Sequence, residues 1–504
     1  MNETTALTLL GLLDRGAPEA PALLAPGREP MTFGALREDV RTLAARLAAL
    51  GFGPGDRVAI VMENGPDMAR TLLAAVSCCT AVPLNPKYRP DEFAFYYEDG
   101  KVKGMIAAPG TFPDAYASVL PGMTVIHAVS GPGGTLRFDP VGPARPARFP
   151  SDPSPDDVAI LLHTSGTTKR PKRVPIRHRN LATSAANVVR GYELTPKDIS
   201  LCVMPLFHVH GICASLLAPM AAGGAAVCPG PFDPLRFWGW VDAFRPTWYS
   251  AVPSMHQMLL ARAERNKEII RRNPFRFIRS CSSSLAPTVM ARMEEAFGAP
   301  VLEAYGMTEA AHQMTSNPLP PGARKPGTVG VGQGVDVAIM DESGTLLPQG
   351  MLGEVVVRGA NVVDGYEDNK EANEGAFVDG WFRTGDQGLM DEDGYLTITG
   401  RLAERINRGG EKISPLEIDH VLLSHPAVGE ALAFGVPHPV FGEDVHAAVV
   451  LKGPATEQEL RRYCAAHVAD FKVPTRIHFM ESLPYVGTGK LRRNVMAKAL
   501  SLAG

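Results

Sequence analysis

The segment Leu161–Val174, LLHTSGTTKRPKRV, carries the most information about the fold. An apolar run, VAILLH, leads into a turn of hydroxyl residues around Gly166, and basic residues follow. Such an apolar run next to a turn predicts a buried strand. The hydroxyls, the backbone N–H groups and Lys172 suit a polyphosphate, although a solvated Ser/Thr turn has the same composition. The segment is not a Walker A loop, because the pattern GxxxxGK[ST] is absent.

Helix and strand patterns alternate on the N-terminal side of this segment. Apolar residues between Leu36 and Leu50 repeat every three or four positions, which predicts an amphipathic helix with Gly51 as its C-cap. The run RVAIVM at 57–62 predicts a buried strand, and another helix pattern follows it. This alternation, which continues through Pro205, predicts a largely parallel sheet covered by helices.

The pattern changes on the C-terminal side. From about 327 to 400, short strands separated by turns predict a small β-barrel or meander. Beyond that part, helix and strand patterns are mixed again. We therefore predict an α/β protein whose large N-terminal domain, 1–400, combines two helix-covered sheet subdomains with the small β-barrel. A small α+β C-terminal domain, 401–504, follows it.

Composition and charge exclude several classes of protein. The 504 residues are 45% hydrophobic and 20% charged, with a formal net charge of −3, which is typical of a globular protein without a nucleic-acid partner. No window reaches the roughly 18 apolar residues of a membrane span. The first apolar stretch follows an acidic residue, unlike a signal peptide. Seven cysteines without paired CxxC spacing predict free thiols in a cytoplasmic protein.

Four further segments carry residues suited to nucleotide chemistry. They are EAYGMTE (303–309), WFRTGD (381–386), GRLAERINRGGEKI (400–413) and GTGK (487–490). In the first, Thr308 beside Glu309 suits phosphate and Mg²⁺, although an ordinary helix start has the same residues. Asp386 in the second lies at a glycine turn and suits ribose hydroxyls. The third is a hinge-like stretch at the predicted boundary, and the fourth places a lysine on a glycine loop.

In this order, the segments resemble the adenylate-forming (ANL) superfamily, which includes acyl-CoA synthetases, peptide-synthetase adenylation domains and luciferases. The resemblance runs from about Phe33 to Lys490. Five stretches are most similar to oxalate–CoA ligases: LFHVHG (206–211), WYSAVPSMHQ (248–257), RSCSSSLAP (279–287), EAYGMTEAAHQMTSNPLP (303–320) and INRGGEKISPLE (406–417). The resemblance implies an acid–thiol ligase that uses ATP, Mg²⁺ and coenzyme A. A carboxylate would attack the α-phosphate of ATP, and CoA would then displace AMP after the mobile C-terminal domain rotates.

The resemblance also implies roles for individual residues. The catalytic set comprises Lys490, which bridges the acid and the α-phosphate, His208 by the acid, Thr308 on phosphate and Glu309 on Mg²⁺. The phosphate loop comprises Thr164, Ser165, Gly166, Thr167, Thr168 and Lys172. Ribose binds Asp386 and Arg401, and Gly409 and Gly410 line the CoA tunnel. The remaining nucleotide and CoA site residues are Ser282, Glu303, Ala304, Tyr305, Gly306, Met307 and Glu411.

The acid pocket indicates two substrate classes. Its candidate residues are His210, Val252, His256, Ser283 and His312. Histidines and hydroxyls suit a second carboxylate, in line with the oxalate resemblance, although each histidine alone is more typical of a core. Small residues such as Ala214 and Ala218 would instead leave space for a bulkier acid from specialised metabolism. Both classes stay open at this point.

Three positions depart from the family pattern. Arg173 stands where the phosphate loop usually has glycine, Lys169 where a small residue is common, and Ala403 where the hinge usually has Asp or Lys. Glycine allows a positive φ or a close backbone approach that Arg173 does not. One interpretation is a tolerated, solvent-facing substitution. The other is weak or lost adenylation with retained thioesterification of an acyl-adenylate supplied by a partner ligase, in which case Arg173→Gly with Ala403→Lys raises adenylation.

Other activities and assemblies also stay open. A carrier-protein adenylation domain would share the nucleotide motifs, and so would a luciferase-like oxygenating enzyme. A non-catalytic acyl-AMP or nucleotide-binding protein would have little use for Lys490 and Glu309. A homodimer is possible.

Overall fold

The fold is described by a computed structural model that covers residues 7–142, 145–164, 171–483, 493 and 495–497. Several predicted site residues lie outside these ranges: Ser165, Gly166, Thr167, Thr168, Lys169 and Lys490. Within the ranges, the strands form four sheets of nine, seven, six and five strands. The seven cysteines are free thiols, as predicted.

Two large sheets form the frame of the N-terminal part. The nine-stranded sheet has the order Val331–Gly332, His312–Ser316, Val301–Met307, Phe277–Ser280, Trp248–Ala251, Ile199–Leu201, Ala225–Val227, Pro21–Leu24, Met31–Thr32. The seven-stranded sheet has the order Leu136–Val141, Thr124–Ser130, Gly104–Ala107, Arg57–Val61, Thr80–Pro83, Val158–Thr164, Lys172–Arg177. Their central strands are parallel, as the alternating pattern predicts.

Helices connect and cover these strands. Their bounds are Leu9–Leu13, Phe33–Ala49, Pro66–Val76, Pro90–Asp99, Pro113–Ala117, His178–Gly191, Ala218–Ala221, Phe237–Phe244, Pro253–Leu260, Lys267–Arg272 and Pro287–Phe297, with a π-helical segment at His210–Leu217. In the helix that begins at Phe33, the apolar stripe is buried, and the hydroxyl of Thr32 caps the N-terminus by accepting from the Ala35 N–H. Gly51, with a φ of 87°, lies just beyond the C-terminus, as predicted.

The predicted β-rich part forms a six-stranded antiparallel sheet. Its order is Leu346–Leu347, Asp336–Met340, Gly353–Arg358, Trp381–Met390, Phe377–Val378, with Leu396–Arg401 also paired to the long strand Trp381–Met390. The short helix Lys370–Glu374 precedes Phe377. A β-bulge near Gln387 bends the long strand. Asp386 of the long strand pairs with Arg401 of the neighbouring strand.

The last sheet takes its strands from the C-terminal part alone. Its order is Glu411–Ile413, Ile406–Arg408, Gly442–Leu451, Val428–His438, with Arg476–Phe479 parallel to the third of these. The helices Pro415–Ser424 and Glu457–Ala465 pack against it. This part contacts the nine-stranded unit through Leu423 and through a 2.8 Å hydrogen bond between Ser284 Oγ and His420 Nε2.

The chain is thus an α/β protein with several mixed sheets and a small C-terminal α+β unit, as predicted. Among the residues that the structure describes, no helix is both long and apolar enough to cross a membrane.

Candidate functional site

The site begins where Val158–Thr164 ends. Thr164 pairs with Lys172 across the antiparallel ladder of the seven-stranded sheet. The Thr164 hydroxyl oxygen is shielded from solvent and has no hydrogen-bond partner among the described residues. A buried hydroxyl in this state suits a ligand oxygen. The ladder therefore places a hydroxyl and an ammonium side by side at the predicted phosphate site.

A tyrosine connects Lys172 to the predicted metal ligand. Lys172 Nζ lies 4.5 Å from the centre of the Tyr366 ring, a cation–π contact. The Tyr366 hydroxyl donates to Glu309 Oε1 over 2.9 Å. Burial raises the pKa of the Glu309 carboxyl above its usual range, and the charges of Arg401 and Lys172 act in the opposite direction. A buried carboxylate oxygen of this kind is a hard ligand that fits Mg²⁺.

A second carboxylate is fixed from two sides. Asp386 Oδ2 accepts from the Tyr305 hydroxyl over 2.5 Å, and Asp386 Oδ1 lies 2.9 Å from Arg401 Nε. Asp386 is 3% exposed, whereas Arg401 lies at the surface. Because both oxygens are held, the carboxylate keeps one orientation, which suits two neighbouring hydroxyls of a ribose.

This pair gives a prediction for nucleotide affinity. Asp386→Asn removes the charge that Arg401 and Tyr305 hold, so we expect the KM for ATP to rise roughly 10- to 100-fold. Steady-state pyrophosphate release at varied ATP measures it. Asp341→Asn, in an exposed turn of the same sheet, should leave that KM unchanged. An unchanged KM in Asp386→Asn contradicts the ribose role.

Glu303 braces the turn that follows the strand Phe277–Ser280. Its Oε1 accepts from the Leu285 N–H over 2.8 Å, and its Oε2 is buried without a partner among the described residues. Burial raises the pKa of the Glu303 carboxyl to about 8, although the Leu285 N–H acts against this. Glu303 therefore holds the turn through the Leu285 N–H, and with this pKa it is protonated at neutral pH.

The raised pKa of Glu303 predicts how stability depends on pH. The folded protein keeps this proton up to about pH 8, while the unfolded chain loses it near 4.5. The contribution of this proton to the free energy of unfolding is therefore complete below pH 4.5. Between pH 4.5 and pH 8 it falls by roughly 1.4 kcal/mol per pH unit. Relative to Glu303→Gln, the wild type should lose stability over that range in chemical denaturation. A difference that does not change with pH contradicts this assignment.

Two predicted pocket histidines form a stacked pair. His210 opens the π-helical segment, and its ring lies 4.9 Å from that of His312 with an angle of 15° between the planes. His210 Nδ1 is 3.0 Å from Ser282 Oγ, and Ser282 has the strained φ of 74°. His208 lies two residues earlier, half-buried, with its ring 4.8 Å from that of Phe207. The strand pair Val301–Met307 and His312–Ser316 joins this group to the nucleotide residues, because it carries Tyr305 on one strand and His312 on the other.

The remaining predicted residues lie in different surroundings. Val252 and His256 are fully buried; the Tyr249 hydroxyl is 3.2 Å from His256 Nδ1, and burial lowers the pKa of His256 to about 3. His256 therefore lies in the core, as a lone apolar-face histidine often does. Ser283 is exposed, and its hydroxyl donates to the Ser282 carbonyl. Ala304 is buried in the strand that leads to half-buried Gly306, Met307 and Thr308.

The hinge and hairpin residues are exposed. Ala403 lies in the 3₁₀ turn Leu402–Glu404 directly after Arg401. Gly409 and Gly410 form a two-residue hairpin loop between Arg408 and Glu411, with φ values of 61° and 97° that favour glycine. The Gly409 N–H donates to the Phe441 carbonyl over 2.8 Å.

Arg173 is neither solvent-facing nor in a backbone conformation that requires glycine. It lies in the strand Lys172–Arg177 without a positive φ, so the expected backbone conflict is absent. Its side chain is only 11% exposed and pairs with three acids. The contacts are Arg173 Nη1 to the Asp99 carbonyl at 2.6 Å, Nε to Glu367 Oε2 at 3.1 Å and Nη2 to Asp368 Oδ2 at 2.7 Å. The arginine is an internal anchor of the loop that carries Tyr366, and the solvent-facing interpretation was wrong.

Two arginines that follow Arg173 in the sequence also pair with acids. Arg177 and Arg179 both pair with Asp364, at 2.9 and 2.8 Å. Arg179 pairs in addition with Asp156. Arg173, Arg177 and Arg179 therefore all face acids.

Tyr366, Arg279 and Gln313 were not predicted as site residues. Tyr366 lies in the irregular segment VVDGYED, 57 positions from its partner Glu309. Arg279 reads as one residue of an apolar strand, yet it is fully buried in the middle of a polar network. A charged residue inside an otherwise apolar strand is the signal that could have found it.

Comparison with known proteins shows which family the chain is similar to. A family model described as AMP-binding enzyme matches residues 14–367, and a model of the AMP-binding enzyme C-terminal domain matches residues 417–490. An oxalate–CoA ligase of Arabidopsis thaliana is 43% identical over 505 residues, covering 97% of this chain and 98% of that protein. The probable CoA ligase CCL9 of Humulus lupulus is 45% identical, covering 98% of this chain and 96% of that protein.

A solved structure shares the whole fold. ATP-bound MatB from Rhodopseudomonas palustris superposes with a TM-score of 0.88 at 31% identity, covering 98% of both chains. The apo form of the same protein superposes with a TM-score of 0.76 at 30% identity, again covering 98% of both chains.

Proposed function

Because the chain belongs to the AMP-binding enzyme family of adenylate-forming acyl-CoA synthetases, we propose that it joins a small dicarboxylic acid of the oxalate class to CoA. It is an acid–thiol ligase that uses ATP, Mg²⁺ and CoA. The observation that carries the substrate class is the group His210, Ser282 and His312, which gathers hydrogen-bonding groups next to the nucleotide residues. Such a group suits the second carboxylate of a short diacid.

The nucleotide residues have divided tasks in this proposal. Asp386, held by Tyr305 and Arg401, orients the ribose. Thr164 and Lys172 contact phosphate oxygens, and Thr308 joins them. Glu309 would hold Mg²⁺, which neutralises charge on the phosphates when it is bound. The chain itself contributes position and fixed charge, which are the main requirements of a displacement at phosphorus.

The acid lies between the histidines and the phosphate residues. His208, near the start of the π-helical segment, faces the reacting carboxylate and moves when the adenylate forms. His210, Ser282 and His312 hold the other carboxylate. Lys490, outside the described residues, bridges the reacting carboxylate and the α-phosphate. His256 is left out of this set because it is a core residue.

The second half-reaction depends on the C-terminal part. We place the boundary at residue 400 and the hinge near Ala403, so that 401–504 rotates and brings the hairpin with Gly409 and Gly410 to the acid. Two separate family models and a sheet built only from residues 406–479 support this division. The higher TM-score with ATP-bound MatB than with its apo form supports the described arrangement as the adenylating one. Relatives that are CoA ligases favour CoA over a carrier protein as the acceptor.

The test separates the two half-reactions. Purified protein with ATP and Mg²⁺ is given oxalate, malonate, a bulky aromatic acid or no acid, and pyrophosphate release is followed. CoA is then added, and mass spectrometry identifies the thioester. We expect pyrophosphate release and thioester formation with the short diacids. Turnover of the aromatic acid alone contradicts the proposed substrate class. Thioester formation from a synthetic adenylate, without any from ATP and the acid, contradicts the adenylation step.

A further inference from the structure

Arg279 is a buried cation surrounded by neutral groups. It lies in the strand Phe277–Ser280 and has no exposed surface. Its guanidinium donates to the Tyr192 hydroxyl at 2.8 Å, to Ser250 Oγ at 3.0 Å and to Gln313 Oε1 at 2.7 Å. Among the described residues, no carboxylate lies within ion-pair distance of it. Burial of an unpaired charge is costly, so its retention calls for a function.

Arg279 determines how its neighbours share their hydrogens. A guanidinium only donates, so Ser250 Oγ accepts from Arg279 and keeps its own hydrogen for another acceptor. That acceptor is His210 Nε2, which lies 2.6 Å from Ser250 Oγ and 3.3 Å from Arg279 Nη1. Two donors face this nitrogen, so it carries no hydrogen. The hydrogen of the neutral ring is therefore on Nδ1.

The series of hydrogen bonds that begins at Arg279 continues from His210 to Ser282 in the pocket. His210 Nδ1–H donates to Ser282 Oγ over 3.0 Å, so Ser282 accepts from the ring and has its own hydrogen left to donate. Ser282 is half-buried, and its left-handed backbone, with a φ of 74°, is typical of a strained functional position. The series Arg279, Ser250, His210 and Ser282 thus ends in a hydroxyl donor.

We propose that Arg279 is a positioning residue that fixes the His210 tautomer through Ser250, so that Ser282 donates to the non-reacting carboxylate of the acid. This inference rests on the proposed function. A carboxylate accepts hydrogen bonds and brings the negative charge that the surroundings of Arg279 lack. A neutral amide in the same place brings no charge, so the series would select diacids against their half-amides.

The first measurement is the tautomer of His210. In ¹⁵N-histidine-labelled protein, His210→Gln identifies the His210 signals. We expect Nδ1 to be protonated and Nε2 unprotonated in the wild type, and a mixture of tautomers in Ser250→Ala. Protonated Nε2 in the wild type overturns the proposal.

The second measurement is discrimination between oxalate and oxamate, in which an amide replaces one carboxylate. Ser250→Ala and Arg279→Gln should lower kcat/KM for oxalate roughly 10- to 100-fold, through KM, and change the value for oxamate by less than about threefold. Arg276→Gln is the control, because Arg276 also bonds Tyr192, through its carbonyl, but lies outside the series. Equal losses for both acids show a merely structural role and overturn the proposal.

Failure of the proposed function gives a different result. If the wild type turns over neither acid, the substrate class is wrong, and the tautomer of His210 alone decides the positioning role. Arg279→Gln is the variant most at risk of misfolding. Ser250→Ala removes one buried hydroxyl and keeps the guanidinium, so it decides the outcome if the arginine variant is insoluble.

Discussion

Glu309→Gln is expected to abolish most ATP-dependent adenylation while leaving the fold intact. The substitution keeps the shape of the side chain and its acceptor for Tyr366 but removes the buried charge opposite Lys172. Loss of a preorganised electrostatic contact at a reacting phosphate costs on the order of 100-fold or more. Pyrophosphate release measures the loss, and thioester formation from a synthetic adenylate should stay within a few-fold of the wild type.

A companion variant and pH separate the charge of Glu309 from its hydrogen bond. Tyr366→Phe keeps the carboxylate, so it should lose far less activity than Glu309→Gln. Because burial raises the pKa of Glu309, the carboxylate becomes protonated on acidification at a higher pH than an exposed glutamate does. Wild-type adenylation should fall accordingly as the pH is lowered. Comparable adenylation by Glu309→Gln and wild type contradicts the metal-ligand role.

Arg173→Gly is expected to lower both stability and adenylation, which reverses the expectation from the sequence alone. Removal of this guanidinium takes one ion-pair partner from Asp99 and one from Glu367, which keep His163 and Arg57, respectively, as partners. A buried charge that loses its last partner costs about 3–5 kcal/mol, and because His163 and Arg57 remain, we expect a smaller loss of stability here. The same change frees the loop that carries Tyr366, so Glu309 loses support. Thermal unfolding and pyrophosphate release measure the two effects.

Two controls belong to the Arg173 experiment. Arg173→Ala tests whether the side chain or the flexibility of glycine matters, and it should behave like Arg173→Gly. Arg179→Ala breaks only exposed pairs with Asp156 and Asp364, which are worth about 1 kcal/mol or less. Adding Ala403→Lys should not restore activity, because Ala403 is exposed in a separate turn. A faster first step in Arg173→Gly would falsify this account and revive the impaired-adenylation hypothesis.

Local patterns predicted most of the fold. The apolar stripe in the helix Phe33–Ala49 is a periodic signal that sequence spacing reveals directly. The ion pairs of Arg173 could not be predicted in the same way, and the sequence left open whether His256 lines the pocket or the core. Their surroundings depend on partners such as Asp99 and Tyr249 that only the folded chain brings close.

The candidate site shows the same difference between local and distant signals. Asp386 and Arg401 were both predicted to bind ribose, and the structure joins them across neighbouring strands. Tyr366 and Gln313 escaped prediction because each acts through a single hydrogen bond to a residue far away in sequence. Sequence motifs therefore reveal charged residues such as Asp386, and they do not reveal the supporting residues that bond to such groups from distant parts of the chain.

The strand pair Val301–Met307 and His312–Ser316 has a consequence for engineering this enzyme. One strand carries Tyr305, which donates to Asp386, and the other carries His312, which stacks on His210, and Gln313, which accepts from Arg279. Main-chain hydrogen bonds lock the two strands together, and a Cβ on Gly306 would collide with the His312 carbonyl. Mutations in this hairpin that reshape the pocket would therefore also displace the nucleotide. New acids are better accommodated from the other wall, at His208 and the π-helical segment.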